Sequence, residues 1–242
     1  YAIYIGRQTG DDEGMMFQDH PFRQMLANEL HARPYGRVSV PAQISHLALA
    51  SGEGTAANEI THLKTLCSHY QVAPPPEDAT LFTAELGPFR LKWERHTEFS
   101  AYTFIAEGQF ETPFKEPAIA AVPADWLAAV PGEVIAALHI AVEETDNPEQ
   151  NIAGVRGYFD NNTLVGGLLN DGQAGWWTDF VVHGDGFSRF LMRGSNLRAT
   201  TAGRITQRIA QMETYRMMAM LALPHARAAR PLVADAETRL SA

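Results

Sequence analysis

TLVGGLLNDGQAGWWTDFVVHGDGFSRFLM, residues 163–192, is the stretch whose reading decides the fold. It holds three strand-like runs, Thr163–Leu169, Trp176–His183 and Phe187–Met192. Asn170-Asp171-Gly172 and Gly184-Asp185-Gly186 separate them, and these residue types favour tight turns. Connections that short close antiparallel hairpins and leave no room for crossover helices. Working backwards, Ile152–Phe159 and Val134–Glu143 read as further strands, broken by Asp160-Asn161-Asn162 and Asp146-Asn147-Pro148. Thr80–Leu86, Phe89–His96 and Glu98–Ala106 follow the stiff Pro74-Pro75-Pro76, and Val38–Val40 and Ile44–Ala50 look extended. Glu111–Pro123, with three prolines, reads as a surface crossing.

Helical periodicity appears at both ends. Asp19 and Pro21 open a helix with Phe22, Met25, Leu26 and Leu30 on one stripe, and Pro34 stops it. A second runs over Thr55–Tyr70, with Ile60, Leu63, Leu66, Cys67 and Tyr70 on one side, and Trp126–Val130 adds a short one. The longest spans Thr200–Leu223: Ile205, Ile209 and Met212 form one face, Arg204, Arg208 and Gln211 another. A further helix is expected after Pro224, beginning near Pro231. The class is α+β, a mostly antiparallel sheet or sheets with helices packed on one face and a long late helix. The expected organisation is a flexible segment over 1–19, one domain over 20–223 with two β-rich halves joining near 111–133, and the start of a further helical region over 224–242.

Of the 242 residues 45% are apolar and 19% charged, which excludes disorder as the dominant state. A net charge of −9 argues against a nucleic-acid partner. Cys67, the one cysteine, allows no internal disulfide and fits a reducing compartment. No apolar run approaches a membrane span. The charge is unevenly spread: residues 1–150 carry −12 and residues 151–242 carry +3, the surplus being arginine.

No nucleophile elbow, zinc-protease spacing, Cys-x-x-Cys, dinucleotide loop or phosphate loop is present, and no metal or cofactor is expected. The densest polar group is Lys92-Trp93-Glu94-Arg95-His96-Thr97-Glu98. On a strand, Leu91, Trp93 and Arg95 share one face and Lys92, Glu94, His96 and Glu98 the other. The second set reads either as a solvated charged face or as an acid–base or anion-handling one. Arg95, on the core face, needs a carboxylate, and Asp179 beside Trp177 is the expected partner. His31 and Arg33 either compensate a helix dipole or line an anion pocket. The candidate ligand-binding residues are therefore His31, Arg33, Glu94, Arg95, His96, Glu98, Trp177 and Asp179, with no catalytic residue assigned.

Glu29-Leu30-His31-Ala32-Arg33-Pro34, the run Leu91–Phe99, Gly175-Trp176 with Asp179, and Glu213-Thr214-Tyr215-Arg216 together resemble the bacterial domain-of-unknown-function family 3422, described as uncharacterised membrane-anchored proteins. The resemblance covers about Asp19 to the C-terminus and implies the soluble N-terminal portion of a longer protein. It implies membrane attachment only through a C-terminal region absent from this chain, with the arginine-rich helix facing the cytoplasmic side of the inner membrane. It supplies no reaction. The expected function is non-enzymatic binding of a protein partner or a small anionic ligand, with a homo-oligomer left open. The alternative is a hydrolase using His31 or His96 with Glu94 or Glu98.

Overall fold

The computed structural model describes residues 19–24, 35–50, 52, 55–146, 152–169 and 174–240. The chain divides into two compact units, residues 1–35 and 36–242. In the first, the Arg23 amide donates to the His20 carbonyl at 2.9 Å and the Arg23 side chain pairs with Asp19. Most of the helix expected between Asp19 and Pro34 lies outside the described residues, as does the segment 1–18.

In the second unit the alternating segments assemble into one eight-stranded sheet. Its strands are β1 (Ala42–Ala50), β2 (Leu81–Glu85), β3 (Arg90–Arg95), β4 (Phe99–Glu107), β5 (Glu133–Glu144), β6 (Val165–Leu169), β7 (Ala174–Thr178) and β8 (Ser188–Gly194). Their order is β2-β3-β4-β1-β5-β8-β7-β6. All neighbours are antiparallel except β5 and β8, which are parallel. The order repeats a pattern. β1 is followed by a helix and then the meander β2-β3-β4, whose last strand returns beside β1. β5 likewise leads through a helix to β6-β7-β8, whose last strand returns beside β5. The two half-sheets meet along β1 and β5.

The helices are α1 (Ala56–His69), α2 (Ala124–Ala128), α3 (Ile152–Arg156), α4 (Ala199–Met220) and α5 (Ala222–Leu240). Strand alternation sends Leu47, Leu49, Leu91, Trp93, Tyr102 and Phe104 to one face, where they meet Ile60, Leu63 and Leu66 of α1 and Trp126 of α2. On the same face Val155 and Phe159 pack on Ala141, Leu191 and Trp177. The opposite residues, Ile44, Ile105, Leu138, Ile140, Phe190 and Met192, pack against Ala202 and Ala210 of α4. The α+β class, the mostly antiparallel sheet and the long late helix are as the sequence predicts. The helices, expected on one face, flank both, because β1 and β5 are apolar on either side.

Two expected strands are corrected. Ile152–Phe159 forms α3 and a 3-10 turn (Gly157–Phe159) instead of a strand. β7 stops at Thr178, five residues short of the expected His183, because Phe180 takes a left-handed φ of 54° and turns the chain out of the ladder. The further helix, expected after Pro224 and near Pro231, begins at Ala222: Pro224 sits in its first turn, where its missing N–H costs nothing, and Pro231 lies inside it.

Candidate functional site

The charged face of β3 is covered, and this corrects its reading as a solvated surface. Register places Thr83, Lys92, Thr103 and His46 in one row across β2, β3, β4 and β1. α4 lies over that row. Lys92 donates to Gln207 of α4 at 3.0 Å and pairs with Glu94 at 3.0 Å. The His46 ring bridges Thr103 at 2.8 Å and Thr214 of α4 at 3.2 Å. Burial, reinforced by the Lys92 charge, lowers the His46 pKa to about 4, so the ring is neutral near pH 7. A neutral imidazole between two hydroxyls is satisfied in either tautomer, since each hydroxyl can donate or accept. The row therefore works as a polar seam fixing the register of α4 on the sheet.

Arg95 finds its carboxylate on α1. Its Nε lies 3.3 Å from Glu59, its Nη2 donates to the Ala56 carbonyl at 2.7 Å, and its guanidinium sits 4.9 Å over the Trp93 ring. Glu59, fully buried, also accepts from the Ser100 hydroxyl at 2.7 Å. The expected Arg95–Asp179 pair does not form. Those residues lie on β3 and beyond the end of β7, five strand positions apart, about 24 Å at ~4.8 Å per strand.

Asp179 instead belongs to a cluster around His183. The His183 ring lies 2.9 Å from Asp160 and 3.0 Å from Asp179, and Asn162 donates to Asp179 at 2.9 Å. Asp179 also accepts from the Val181 amide at 3.1 Å. Asp160, Asn161 and Phe180 all have positive φ, so this corner holds a strained backbone in place through side-chain contacts.

Ser45, His139 and Asp185 stand in an order that resembles a nucleophile, a base and an orienting carboxylate. Ser45 Oγ is 2.9 Å from His139 Nδ1, and His139 Nε2 is 3.9 Å from Asp185. The Ile119 amide donates to the same Oγ at 3.1 Å, which directs the Ser45 proton to Nδ1 and leaves Nε2–H facing Asp185. Ser45 is fully buried, however, and burial lowers the His139 pKa to about 4. His139 is stacked on Phe187 at 3.9 Å. The arrangement pins the 3-10 turn Ala118–Ala121 to the sheet, and no substrate reaches the hydroxyl.

The sequence-derived candidates thus separate. Glu94 is buried under α4, and Arg95 is held by α1. His96 stacks on Phe99 at 4.1 Å, and Glu98 is exposed in the β3–β4 turn. Trp177, buried on β7, lies over Gly166 and Gly175, where a Cβ would meet its ring at 2.7 Å and 2.5 Å. Asp179 sits at the His183 corner. His31 and Arg33 lie outside the described residues. Among the described residues no group of three or more His, Cys, Asp or Glu is placed to hold a metal, and no helix is long and apolar enough to cross a membrane.

The model of a family described as "Protein of unknown function (DUF3422)" matches residues 18–242. The chain belongs to that family. No curated protein and no solved structure matches it. The DUF3422 match takes in the seam under α4, both histidine clusters and the whole sheet, so these are features of the matched region.

Several polar residues of this DUF3422 chain escaped the sequence reading. His46, between Ile44 and Ala48 on one strand face, carried a signal: an imidazole in an apolar alternation must be bonded. Glu59 carried a weaker one, as an acidic residue beside Ile60 in the first turns of α1. The third group lies at the end of β1, β4 and β5, around the segment expected to be a plain surface crossing. There a cleft of about 380 Å³ is lined by Gln43, Glu107, Phe110, Glu111, Lys115 and Glu116 among others. A second, of about 430 Å³, adjoins it across Gln109 and Phe110, with Glu143, Glu144 and Arg193 in its wall.

Proposed function

We propose that this chain is a non-catalytic binding domain of a bacterial, membrane-anchored protein, standing at the cytoplasmic face of the inner membrane and assembling through α5 with a second copy of itself. One observation carries the assembly. Every described side chain of α5 except Leu223 is exposed, including Leu232 at 73%, Val233 at 55% and Leu240 at 89%. A 19-residue helix is marginal alone in water, and exposed apolar groups on it call for a partner. A second copy of the chain is the partner we infer, since a two-fold axis would bring the same exposed apolar residues of both copies together and close the contact symmetrically. The membrane context rests on the family resemblance and on the arginine surplus of residues 151–242, which suits a cytoplasm-facing segment.

Of the two expected ligand classes, protein fits this surface better than a small anion. Of the described residues expected to form an anion site, Glu94, Arg95, His96 and Glu98 stand on or just after β3 while Trp177 and Asp179 stand on or just after β7, and Arg95 is engaged by Glu59. The hydrolase alternative gains no support from Glu94, which Lys92 holds beneath α4.

Sedimentation equilibrium of the chain tests the proposal. The expected mass rises from monomer to dimer with concentration, and Leu232→Glu with Val233→Glu returns it to monomer. A strict monomer at high concentration, or a dimer indifferent to the double variant, overturns it.

A further inference from the structure

We infer that the paired clefts at the end of β1, β4 and β5 bind a cationic group, an alkylammonium or a guanidinium, as a site separate from α5. The first cleft is walled by Glu107, Glu111 and Glu116 against Lys115 alone. The second adds Glu143 and Glu144, and its one cation, Arg193, is already paired with Glu143. Glu107 is built in rather than incidental. Burial works to raise its pKa, and the Ser39 amide together with the Arg90 guanidinium outweighs this, holding the carboxyl below its usual range. Both donors approach the same oxygen, at 2.9 Å and 3.1 Å, and fix the carboxylate at the cleft wall.

The observation that points to a ligand is Gln43. It is 6% exposed, it lines the first cleft, and no described residue hydrogen-bonds its side-chain amide. The amide opens into the cleft, where a donor entering from solvent can take the place of the water that would otherwise hydrate it. With carboxylates around the opening, the carbonyl end of that amide is the one suited to an incoming N–H. Phe110, half-buried between the two clefts, offers a ring against which a guanidinium or an alkyl chain can lie. Concave walls of one sign also concentrate the field along the groove, drawing cations in and turning anions away.

The same chemistry can arrive as a free polyamine or as a basic side chain of a peptide. Isothermal titration of the full chain with spermidine, and separately with an acetylated, amidated Gly-Arg-Gly peptide, distinguishes the sources. Binding of either supports the site, and the tighter one names the carrier. Glu111→Lys and Glu116→Lys, both at exposed positions, are expected to weaken binding by about tenfold or more each. Asp78→Lys, an equal charge change at an exposed position outside the clefts, is expected to leave it unchanged. The Gln43 side-chain amide resonance of the wild-type chain should shift on titration, a readout independent of any variant's folding. Absence of binding by both probes, equal weakening by Asp78→Lys, or an unmoved Gln43 amide overturns the inference.

Discussion

Burial sets the charge state of individual residues here more than their neighbours in sequence do. His46 and His139 have pKa values near 4 in the folded chain against 6.5 as free side chains. Between those values the unfolded chain binds more protons, so stability rises with pH from about 4 to about 6.5 and is level above. Each ring contributes on the order of 3 kcal/mol over that window, lost again as the pH falls. In His46→Gln the absolute stability drops because two hydroxyls lose their partner. The decisive quantity is the slope of urea-unfolding free energy between pH 4 and 6.5, which is expected to flatten by about that amount. An unchanged slope would mean His46 titrates in the folded state much as it does unfolded. What the sequence disclosed at this scale was the need of Arg95 for a carboxylate, and not which one. The alternation in Leu91–Phe99 places Arg95 on the core face, but Glu59 lies 36 positions earlier and reaches it only through the packing of α1. Likewise nothing local to Lys92 and Glu94 reveals that α4, over a hundred residues later, covers them.

At the scale of elements, regular patterns were legible and their interruptions were not. β2, β3, β4, β5 and β8 stand close to where alternation puts them. Ile152–Phe159 misled because its β-branched residues resemble a strand, whereas Ile152, Val155 and Phe159 are spaced three and four apart, as a helix requires. The fully buried Val155 and Phe159 are the ones the helical turn carries into the core. α4 shows a different kind of constraint. A Cβ at Gly203 would land on the carbonyl oxygen of Gly36, in the segment where the Val38 amide also donates to the Ala199 carbonyl at 3.0 Å. Alanine would gain about 1 kcal/mol of helix propensity over glycine. A backbone oxygen cannot rotate away as a side chain can, so overpacking of about 1–3 kcal/mol dominates. Gly203→Ala is therefore expected to lower the midpoint of thermal unfolding by several degrees. Gly36→Ala, whose Cβ meets nothing within 4 Å, should leave it nearly unchanged. Equal effects from the two would remove the close approach as the reason for glycine in α4.

At the scale of the whole molecule, cohesion and exposure are divided between different parts of the chain. The second unit draws its stability from strands β1, β5 and β8, which are buried on both faces beneath α1, α3 and α4. None of the described side chains of α5 is buried in that core. Residues 1–150, which carry the acidic surplus, supply all five carboxylates that wall the clefts, Glu107, Glu111, Glu116, Glu143 and Glu144, and one of the two cations, Lys115, the other being Arg193. Part of the arginine surplus lies on α5. A chain ending at Leu221 should thus keep the unfolding midpoint of the full chain within about 3 °C when both are monomeric, since less than ~1 kcal/mol of packing is removed. Concentration separates packing from pairing. If α5 joins two copies, mass action stabilises the full chain progressively as its concentration rises, while the shortened chain stays level. Thermal scans over a hundredfold range of protein concentration make the comparison. Diverging midpoints place the free energy of α5 in assembly, and a shortened chain already less stable at the lowest concentration places it in the fold.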